Sequence, residues 1–194
     1  MTELYCLGDS LTYGLGVRVS QKWTTLAASD TLRITPMGIS GDTTSGMLAR
    51  IQNLPSCHQN APSLRPFVLV MGGTNDIFFS GTHTGARANL GAIVHQLCAL
   101  GYRPLVGIPL PIRPEDAPKK WAALADFEAS ARLLEEYCSW LKQFCQAFDI
   151  PYVDFHKDYV NQDGSVRRDL FLDGLHPNAA GHALMAARLK EALP

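Results

Sequence analysis

Four short polar segments of the chain bring together a hydroxyl, a carboxylate, an imidazole and amide groups. In chain order they are Gly8-Asp9-Ser10-Leu11, Gly38-Ile39-Ser40-Gly41-Asp42, Gly72-Gly73-Thr74-Asn75-Asp76 and Asp173-Gly174-Leu175-His176-Pro177. A hydroxyl nucleophile, a base and donors for a negatively charged oxygen are the groups that nucleophilic acyl transfer requires. For the segments to perform this chemistry, the fold must bring all four together at one site.

Ser10, His176 and Asp173 could be a nucleophile, its general base and the partner of that base. A serine hydroxyl is protonated at neutral pH, whereas an imidazole, with a reference pKa of about 6.5, is mostly neutral and can accept its proton. Asp173 precedes His176 by three residues in a glycine-containing turn, so its carboxylate can reach one ring nitrogen. Asp9 and His182 are expected to be structural, Asp9 by holding the Ser10 loop and His182 within a helix.

The same segments could stabilise the oxyanion that forms when a serine attacks a carbonyl. We expect three donors: the backbone N–H groups of Ser10 and Gly41 and the side-chain amide of Asn75. Gly41 has no Cβ, so a substrate carbonyl could approach it closely. Each segment alone is typical of a turn or a helix cap, and it is the set of four that indicates a site.

Two further segments bear on the substrate. Ile77, Phe78 and Phe79 follow the third polar segment directly. They could form an apolar, substrate-binding wall for an acyl chain, or they could pack under the next helix. The proline-rich stretch 111–121 is expected to flank the pocket as a partial lid, with a solvated loop as the alternative.

The hydrophobic pattern predicts the elements that position these residues. Short apolar runs predict five strands, at Leu4–Leu7, Leu32–Thr35, Phe67–Met71, Leu105–Ile108 and Tyr152–Asp154. Helices are predicted at Trp23–Ser29, Thr43–Gln52, Thr84–Leu100, within Ala122–Ala147 and at Ala179–Ala192, with Asp42 and Asn178 as N-caps. This alternation predicts an α/β fold with a parallel sheet between helices, whose ligands lie at the carboxyl ends of the strands.

Length and composition set further bounds. With 194 residues and 46% hydrophobic content, residues 1–194 are predicted to form one domain. The 17 Lys+Arg nearly balance the 18 Asp+Glu. This balance argues against a nucleic-acid-binding protein and against a protein that binds membrane surfaces through a polybasic segment. No apolar run reaches the ~18 residues of a membrane helix, and no signal-peptide pattern begins the chain, so a cytoplasmic protein is expected. Four of the cysteines are expected to be reduced and buried: Cys6, Cys98, Cys138 and Cys145.

Other functional classes leave weaker signals. The G-x-S-x-G elbow, the P-loop and the dinucleotide fingerprint are absent from the sequence. A metal hydrolase is one alternative, and its candidate ligands are Asp154, His156, Asp158, Asp173 and His176. The sequence contains no HExxH motif that would support it. A flavodoxin-like binding module that holds phosphate or flavin at the Ser10 loop, Thr74 and Asn75 is the non-enzymatic alternative. Such a module has no need of an Asp173/His176 pair.

The four segments resemble the sequence blocks of the GDSL, or SGNH, hydrolases. The first block continues as Thr12-Tyr13-Gly14, the second as Thr43-Thr44 and the last as Asn178-Ala179-Ala180-Gly181-His182. The resemblance therefore runs from residue 8 to residue 182 and is strongest to small bacterial esterases similar to thioesterase I and lysophospholipases. One departure is Pro36, which stands where many relatives carry Asn.

This resemblance implies a three-layer α/β/α fold like flavodoxin, with a five-stranded parallel sheet and with no metal or cofactor. It implies Ser10 as nucleophile, His176 as base, Asp173 as its partner, and an oxyanion hole completed by Gly41 and Asn75. The implied activity is hydrolysis of small acyl esters through an acyl-Ser10 intermediate. A thioesterase, a lysophospholipase and a carbohydrate acetylesterase remain open alternatives, and so does the oligomeric state.

Overall fold

A computed structural model describes residues 1–57 and 65–193. Its five strands form one sheet in the order β2-β1-β3-β4-β5, and every neighbouring pair is parallel. The strands are β1 Thr2–Gly8, β2 Leu32–Gly38, β3 Phe67–Met71, β4 Arg103–Ile108 and β5 Tyr152–Asp154. This strand order is that of flavodoxin-like sheets, in which the direction of strand addition reverses between β1 and β3. The predicted α/β fold with a five-stranded parallel sheet is confirmed.

Helices cover both faces of the sheet. They are α1 Ser10–Tyr13, α2 Trp23–Ala27, α3 Thr44–Arg50, α4 Thr74–Ser80, α5 Thr84–Ala99, α6 Phe127–Ala147 and α7 Ala179–Ala192. Successive residues of β3 point to opposite faces: Val68 and Val70 pack with α3, α5 and α6, whereas Leu69 and Met71 pack with α2 and α7. Because both faces are covered, all five residues of β3 are buried, as its uninterrupted apolar sequence predicts.

The two predicted N-caps have different outcomes. Asn178 caps α7, and its Oδ1 accepts hydrogen bonds from the backbone N–H groups of Ala180 (2.9 Å) and Gly181 (3.1 Å). The prediction for Asp42 is wrong, because Thr43 caps α3 through a bond from the Gly46 N–H. The carboxylate of Asp42 pairs with an arginine instead, since a charge-assisted bond is stronger than a bond to a neutral backbone N–H.

Several element boundaries also differ from the sequence prediction. Strand β2 runs on to Gly38 and so contains Pro36, which is tolerated because β2 is an edge strand and needs no donor on its outer side. Helix α6 begins only at Phe127, where the Asp126 side chain accepts from the Ala129 N–H. Helices α1 and α4 were not predicted, since four and seven residues are too few for a periodic pattern.

Two expectations from composition can be compared with the fold. Cys6, Cys138 and Cys145 are buried as predicted, whereas Cys98 is exposed on α5, which corrects its predicted burial. Within residues 1–57 and 65–193, no helix has both the length and the apolar character needed to cross a membrane.

Candidate active site

The strand register brings the polar segments to one level of the sheet. Gly8 at the end of β1 pairs with Gly38 of β2 on one side and with Met71 of β3 on the other. The first three polar segments therefore leave the sheet at the same edge, and the loop before α7 joins them there. Four of the residues singled out from the sequence line one pocket at this edge: Ser10, Gly41, Asn75 and His176.

His176 lies between Ser10 and Asp173. Its Nε2 is 3.0 Å from Ser10 Oγ, and its Nδ1 is 2.9 Å from Asp173 Oδ2. Ser10 and His176 are both buried, with 8% and 5% of their surfaces exposed. A neutral imidazole with its proton on Nδ1 would donate to the carboxylate and accept from the hydroxyl, which is the arrangement that activates a serine.

The Asp173 carboxylate is fixed by its own loop as well as by the imidazole. Its Oδ1 accepts from the backbone N–H groups of His176 (2.8 Å) and Leu175 (3.1 Å). Burial acts to raise the pKa of Asp173, but the hydrogen bonds from the ring and backbone of His176 outweigh it, and this pKa lies below its ordinary value. The carboxylate therefore stays ionised beside the imidazole. Gly174 makes the turn, with φ of +73° and its Cα against the Arg113 carbonyl, where a Cβ would clash.

The candidate oxyanion donors come from the ends of three strands. Gly41 has φ of +80°, a conformation that favours glycine, and a Cβ there would meet no atom within 4 Å. The backbone conformation, and not crowding by the protein, thus explains this glycine. Asn75 Nδ2 donates to the Asp42 carbonyl (2.8 Å), and a side-chain amide has a second N–H that can face the pocket.

Ser10 is the first residue of the short helix α1. Its neighbour Asp9 caps that helix by accepting from the Leu11 N–H at 2.9 Å, and Gly14 ends it in a left-handed conformation. Asp9 is only 1% exposed. Burial raises the pKa of Asp9 to about 7 despite the hydrogen bond from Leu11. This geometry fits the structural role predicted for Asp9.

His182 is a buried residue of α7. Its Nδ1 accepts from the Trp23 N–H at 3.3 Å, and Trp23 in turn donates from its indole to the Leu11 carbonyl at 2.9 Å. Burial lowers the pKa of His182 to about 4, so the ring is neutral over most of the pH range. These bonds connect α7 to α2 and α1, in line with the predicted structural role.

The pocket beside Ser10 is predominantly apolar and has a volume of about 230 Å³. Its apolar lining consists of Leu15, Phe78, Phe79, Trp121, Leu124, Ala125, Phe127 and Leu175. The prediction that Ile77 also forms this wall is wrong, because Ile77 is 1% exposed and packs in the core. Since α4 is helical, Asn75, Phe78 and Phe79 share one face as i, i+3 and i+4, and Ile77 points to the other.

Aromatic rings connect the pocket wall to the imidazole. Trp121 meets His176 edge-on with centroids 6.1 Å apart, and stacks on Phe127 at 6.2 Å. Phe127 in turn contacts Phe78, with centroids 5.0 Å apart. The stretch expected to be a lid therefore reaches the pocket only at its end, Trp121, and the lining continues beyond it. Sequence reasoning missed Leu124 and Phe127, although apolar residues just after a charged, proline-rich stretch were an available signal.

The candidate ligands of a metal site are engaged elsewhere. Asp154 pairs with Lys142 (2.8 Å) and Asp158 with Arg188 (2.5 Å), while His156 lies 2.7 Å from Glu135. In the part of the chain that the structure describes, no three histidine, cysteine or carboxylate side chains come together as a group that could hold a metal ion.

A family model for the GDSL-like Lipase/Acylhydrolase family matches residues 6–184. The chain belongs to this family. This GDSL-like acylhydrolase is therefore a carboxylic ester hydrolase, as the sequence resemblance implied. No curated protein sequence matches the chain significantly.

Solved structures share the fold of this GDSL-like acylhydrolase at low sequence identity. A lipolytic protein of the G-D-S-L family from Veillonella parvula has a TM-score of 0.79 and 23% identity, covering 100% of this chain and 98% of its own. An aryl esterase from M. smegmatis has a TM-score of 0.77 and 22% identity, with coverage of 98% and 97%. A carbohydrate acetylesterase from Sinorhizobium meliloti has a TM-score of 0.75 and 23% identity, again with coverage of 98% and 97%.

Proposed function

We propose that this acylhydrolase is a serine esterase that cleaves esters of small apolar acids through an acyl-Ser10 intermediate. The observation that carries the proposal is the position of the His176 ring, with Nε2 3.0 Å from Ser10 Oγ and Nδ1 2.9 Å from Asp173 Oδ2. Because the participating segments meet at one edge of a single sheet, we also propose that residues 1–194 act as a single domain.

In the first half of the proposed reaction, Ser10 Oγ attacks the ester carbonyl carbon while its proton passes to His176 Nε2. The N–H groups of Ser10 and Gly41 and the amide of Asn75 donate to the oxyanion of the tetrahedral intermediate. The C–O bond to the leaving group then breaks. His176 gives its proton to the departing alkoxide, and the acyl group remains on Ser10.

In the second half, His176 removes a proton from water, and the resulting hydroxide attacks the acyl carbon. The same donors stabilise the second oxyanion. The ester bond to Ser10 breaks, Ser10 Oγ recovers its proton from His176, and the free acid leaves. Asp173, ionised and hydrogen-bonded to Nδ1, favours the imidazolium that forms in each half.

The apolar lining supports an acyl group without charge or many hydroxyls. Phe78, Phe79, Trp121 and Leu124 offer no hydrogen-bonding group suited to a sugar ring, apart from the Trp121 indole N–H. An aryl esterase and a carbohydrate acetylesterase share this fold, and the aromatic wall favours an apolar acyl substrate over a sugar ester for this chain. Binding of an apolar acyl chain would bury its surface and that of the pocket lining away from water, which stabilises the complex.

Hydrolysis of p-nitrophenyl esters from acetyl to palmitoyl, one acyl-CoA and one acetylated sugar tests the proposal. We expect turnover of the p-nitrophenyl esters by the wild type, and a loss of several orders of magnitude in Ser10→Ala, because the substitution removes the proposed nucleophile. A fluorophosphonate probe followed by peptide mapping should label Ser10 and leave Ser40, the other serine of the pocket, unmodified. Turnover by Ser10→Ala, or activity on the sugar ester alone, would contradict it.

A further inference from the structure

Arg50, the last residue of α3, donates hydrogen bonds to three separate segments. Its Nη2 donates to the Gly8 carbonyl (3.2 Å) and its Nη1 to the Met37 carbonyl (3.0 Å). Its Nε and Nη2 both donate to Asp42 Oδ2, at 3.0 and 2.6 Å. The side chains of Arg50 and Asp42 are largely buried, with 17% and 11% exposed.

The acceptors of Arg50 are adjacent to the proposed oxyanion donors. Gly8 ends β1 and is followed within two residues by Ser10, and Asp42 directly follows Gly41. The Asp42 carbonyl also accepts from Asn75 Nδ2 at 2.8 Å. One guanidinium, directly or through Asp42, is thus connected to all three segments that carry the donors.

The Gly41 segment is held by backbone hydrogen bonds from the Asp42 N–H to the Ile39 carbonyl (3.1 Å) and from the Ile39 N–H to the Gly8 carbonyl (3.0 Å). It follows β2, an edge strand, and no atom lies within 4 Å of where a Gly41 Cβ would be. Side-chain packing therefore cannot fix the direction of its N–H. A guanidinium can, because its donors form a rigid planar fork that holds two or three acceptors in fixed directions.

Charge gives a second reason for an arginine at this position. Asp42 directly follows Gly41 in the chain, and in the proposed reaction negative charge develops on the substrate oxygen that the Gly41 N–H binds. An unpaired carboxylate there would oppose that charge, and in a partly buried site the repulsion is only weakly screened. The ion pair with Arg50, in which two N–H groups donate to one carboxylate oxygen, neutralises Asp42 and fixes its orientation.

We propose that Arg50 is a positioning residue of the oxyanion hole, which acts through Asp42 to align the Gly41 and Asn75 donors with Ser10. The inference rests on the proposed function. Arg50 does not line the pocket, so it affects the transition state without touching the substrate. Its loss should lower kcat and leave KM nearly unchanged, since the donors bind the oxyanion and not the ground-state ester.

The main test variant is Arg50→Lys, which keeps the charge but loses the planar fork. We expect kcat to fall by about 10- to 100-fold, since a displacement near 1 Å costs about 100-fold, with KM within about threefold. Arg188→Lys is the matched control: Arg188 also donates from Nε and Nη2 to one carboxylate, that of Asp158, and is 23% exposed. It should leave kcat unchanged.

A double mutant separates positioning from general loss of structure. Asn75→Ala alone should lower kcat by about 10²- to 10³-fold, as loss of one oxyanion donor does. Because the proposal has Arg50 align Asn75 as well as Gly41, the kcat loss in Arg50→Lys/Asn75→Ala should be smaller than the product of the two single losses. Multiplied losses, or a kcat of Arg50→Lys within twofold of Arg188→Lys, would overturn the inference.

Asp42→Ala breaks the same link from the other side and serves if Arg50→Lys does not fold. We expect its kcat to fall to a similar extent, again at nearly constant KM, and an unchanged kcat would overturn the inference. Ser10→Ala measured in parallel distinguishes the two proposals. An inactive Ser10→Ala beside a normal Arg50→Lys rejects only the role of Arg50, whereas an active Ser10→Ala rejects the proposed function.

Discussion

Asp9 and Ser10 are adjacent residues with different chemical demands. In the proposed reaction Ser10 exchanges a proton with His176, whereas Asp9 is enclosed and holds the backbone of α1 through Leu11. An enclosed carboxylate with one hydrogen bond is costly to ionise, which is why burial raises the pKa of Asp9 to about 7. This cost makes folding stability depend on pH.

We predict that Asp9→Asn becomes more stable relative to the wild type as pH rises from 5 to 7. The ordinary pKa of the Asp9 carboxyl is 3.8 and its folded pKa is about 7, so between these values the folded protein holds the extra proton and wild-type stability falls with rising pH. Asparagine has no such ionisation and its side-chain oxygen can still accept from Leu11. The expected change in the stability difference is about 2 kcal/mol.

Urea unfolding of both proteins at several pH values measures this difference. His182 titrates in both proteins and cancels in the comparison. Its own contribution has the opposite sign, because a folded pKa of about 4 makes stability rise with pH between about 4 and 6.5. A stability difference that stays constant from pH 5 to 7 would show that Asp9 does not ionise in this window.

At the scale of elements, α4 converts a run of apolar sequence into a one-sided wall. Asn75, Phe78 and Phe79 face the pocket, and Ile77 enters the core. Gly73, which precedes the helix, has φ of +115°, and a Cβ there would overlap the Tyr137 ring. The direction of α4 therefore depends on a glycine at this position.

We predict that Gly73→Ala destabilises the fold by about 1–3 kcal/mol, the usual cost of a strained backbone position, and lowers kcat because Asn75 shifts with α4. Thermal unfolding and ester hydrolysis measure the two effects. Gly85→Ala is the control, since Gly85 lies in α5 and an added Cβ meets nothing within 4 Å. Equal stability of the two variants would contradict the prediction.

The segment after Trp121 forms the opposite side of the pocket. Leu124 is 72% exposed yet lines the pocket, so bound acyl chains can bury part of it. We predict that Leu124→Ser lowers kcat/KM for hexanoyl esters roughly fivefold, equivalent to about 1 kcal/mol of apolar burial, and changes acetyl ester hydrolysis by less than about twofold.

Leu100→Ser provides the comparison for this substitution. Leu100 is 44% exposed at the end of α5 and does not line the pocket, so both esters should be hydrolysed at the wild-type rate. Equal losses on acetyl and hexanoyl esters in Leu124→Ser would indicate a general disturbance of the site and not a contact with the acyl chain.

At the scale of the whole molecule, the sheet separates two hydrophobic cores, one on each face, and three of the five cysteines are buried. Cys6, Cys138 and Cys145 are buried, and burial raises the pKa of each, whereas Cys98 is exposed and Cys57 is intermediate. Thiolates are the reactive form, so burial protects a thiol by limiting both access and ionisation.

We predict that a disulfide reagent modifies Cys98 rapidly and Cys57 more slowly in the native protein. All five cysteines should react after unfolding in guanidinium. Absorbance of the released thiolate counts the modified residues, and Cys98→Ser should remove the fast phase. Rapid reaction of Cys6, on the internal strand β1, would be inconsistent with its burial.

Much of the fold followed from local sequence. Apolar runs located all five strands, with β3 and β5 predicted at their observed bounds, because buried parallel strands are continuous in apolar residues. Asn178 and helix α7 were also predicted correctly, since a cap and its helix are adjacent in sequence. The short helices α1 and α4 were missed, because four and seven residues are too few to show a helical periodicity.

The sequence by itself determined the candidate residues for the proposed chemistry, because Ser10, Asp173, His176, Gly41 and Asn75 stand at predicted strand ends and helix starts. Tertiary structure decided what surrounds them. It put Ile77 in the core, added Leu124 and Phe127 to the pocket, and directed Asp42 to Arg50 instead of to the start of α3. Residue type fixes the chemistry of a side chain, whereas its neighbours depend on contacts between segments distant in sequence.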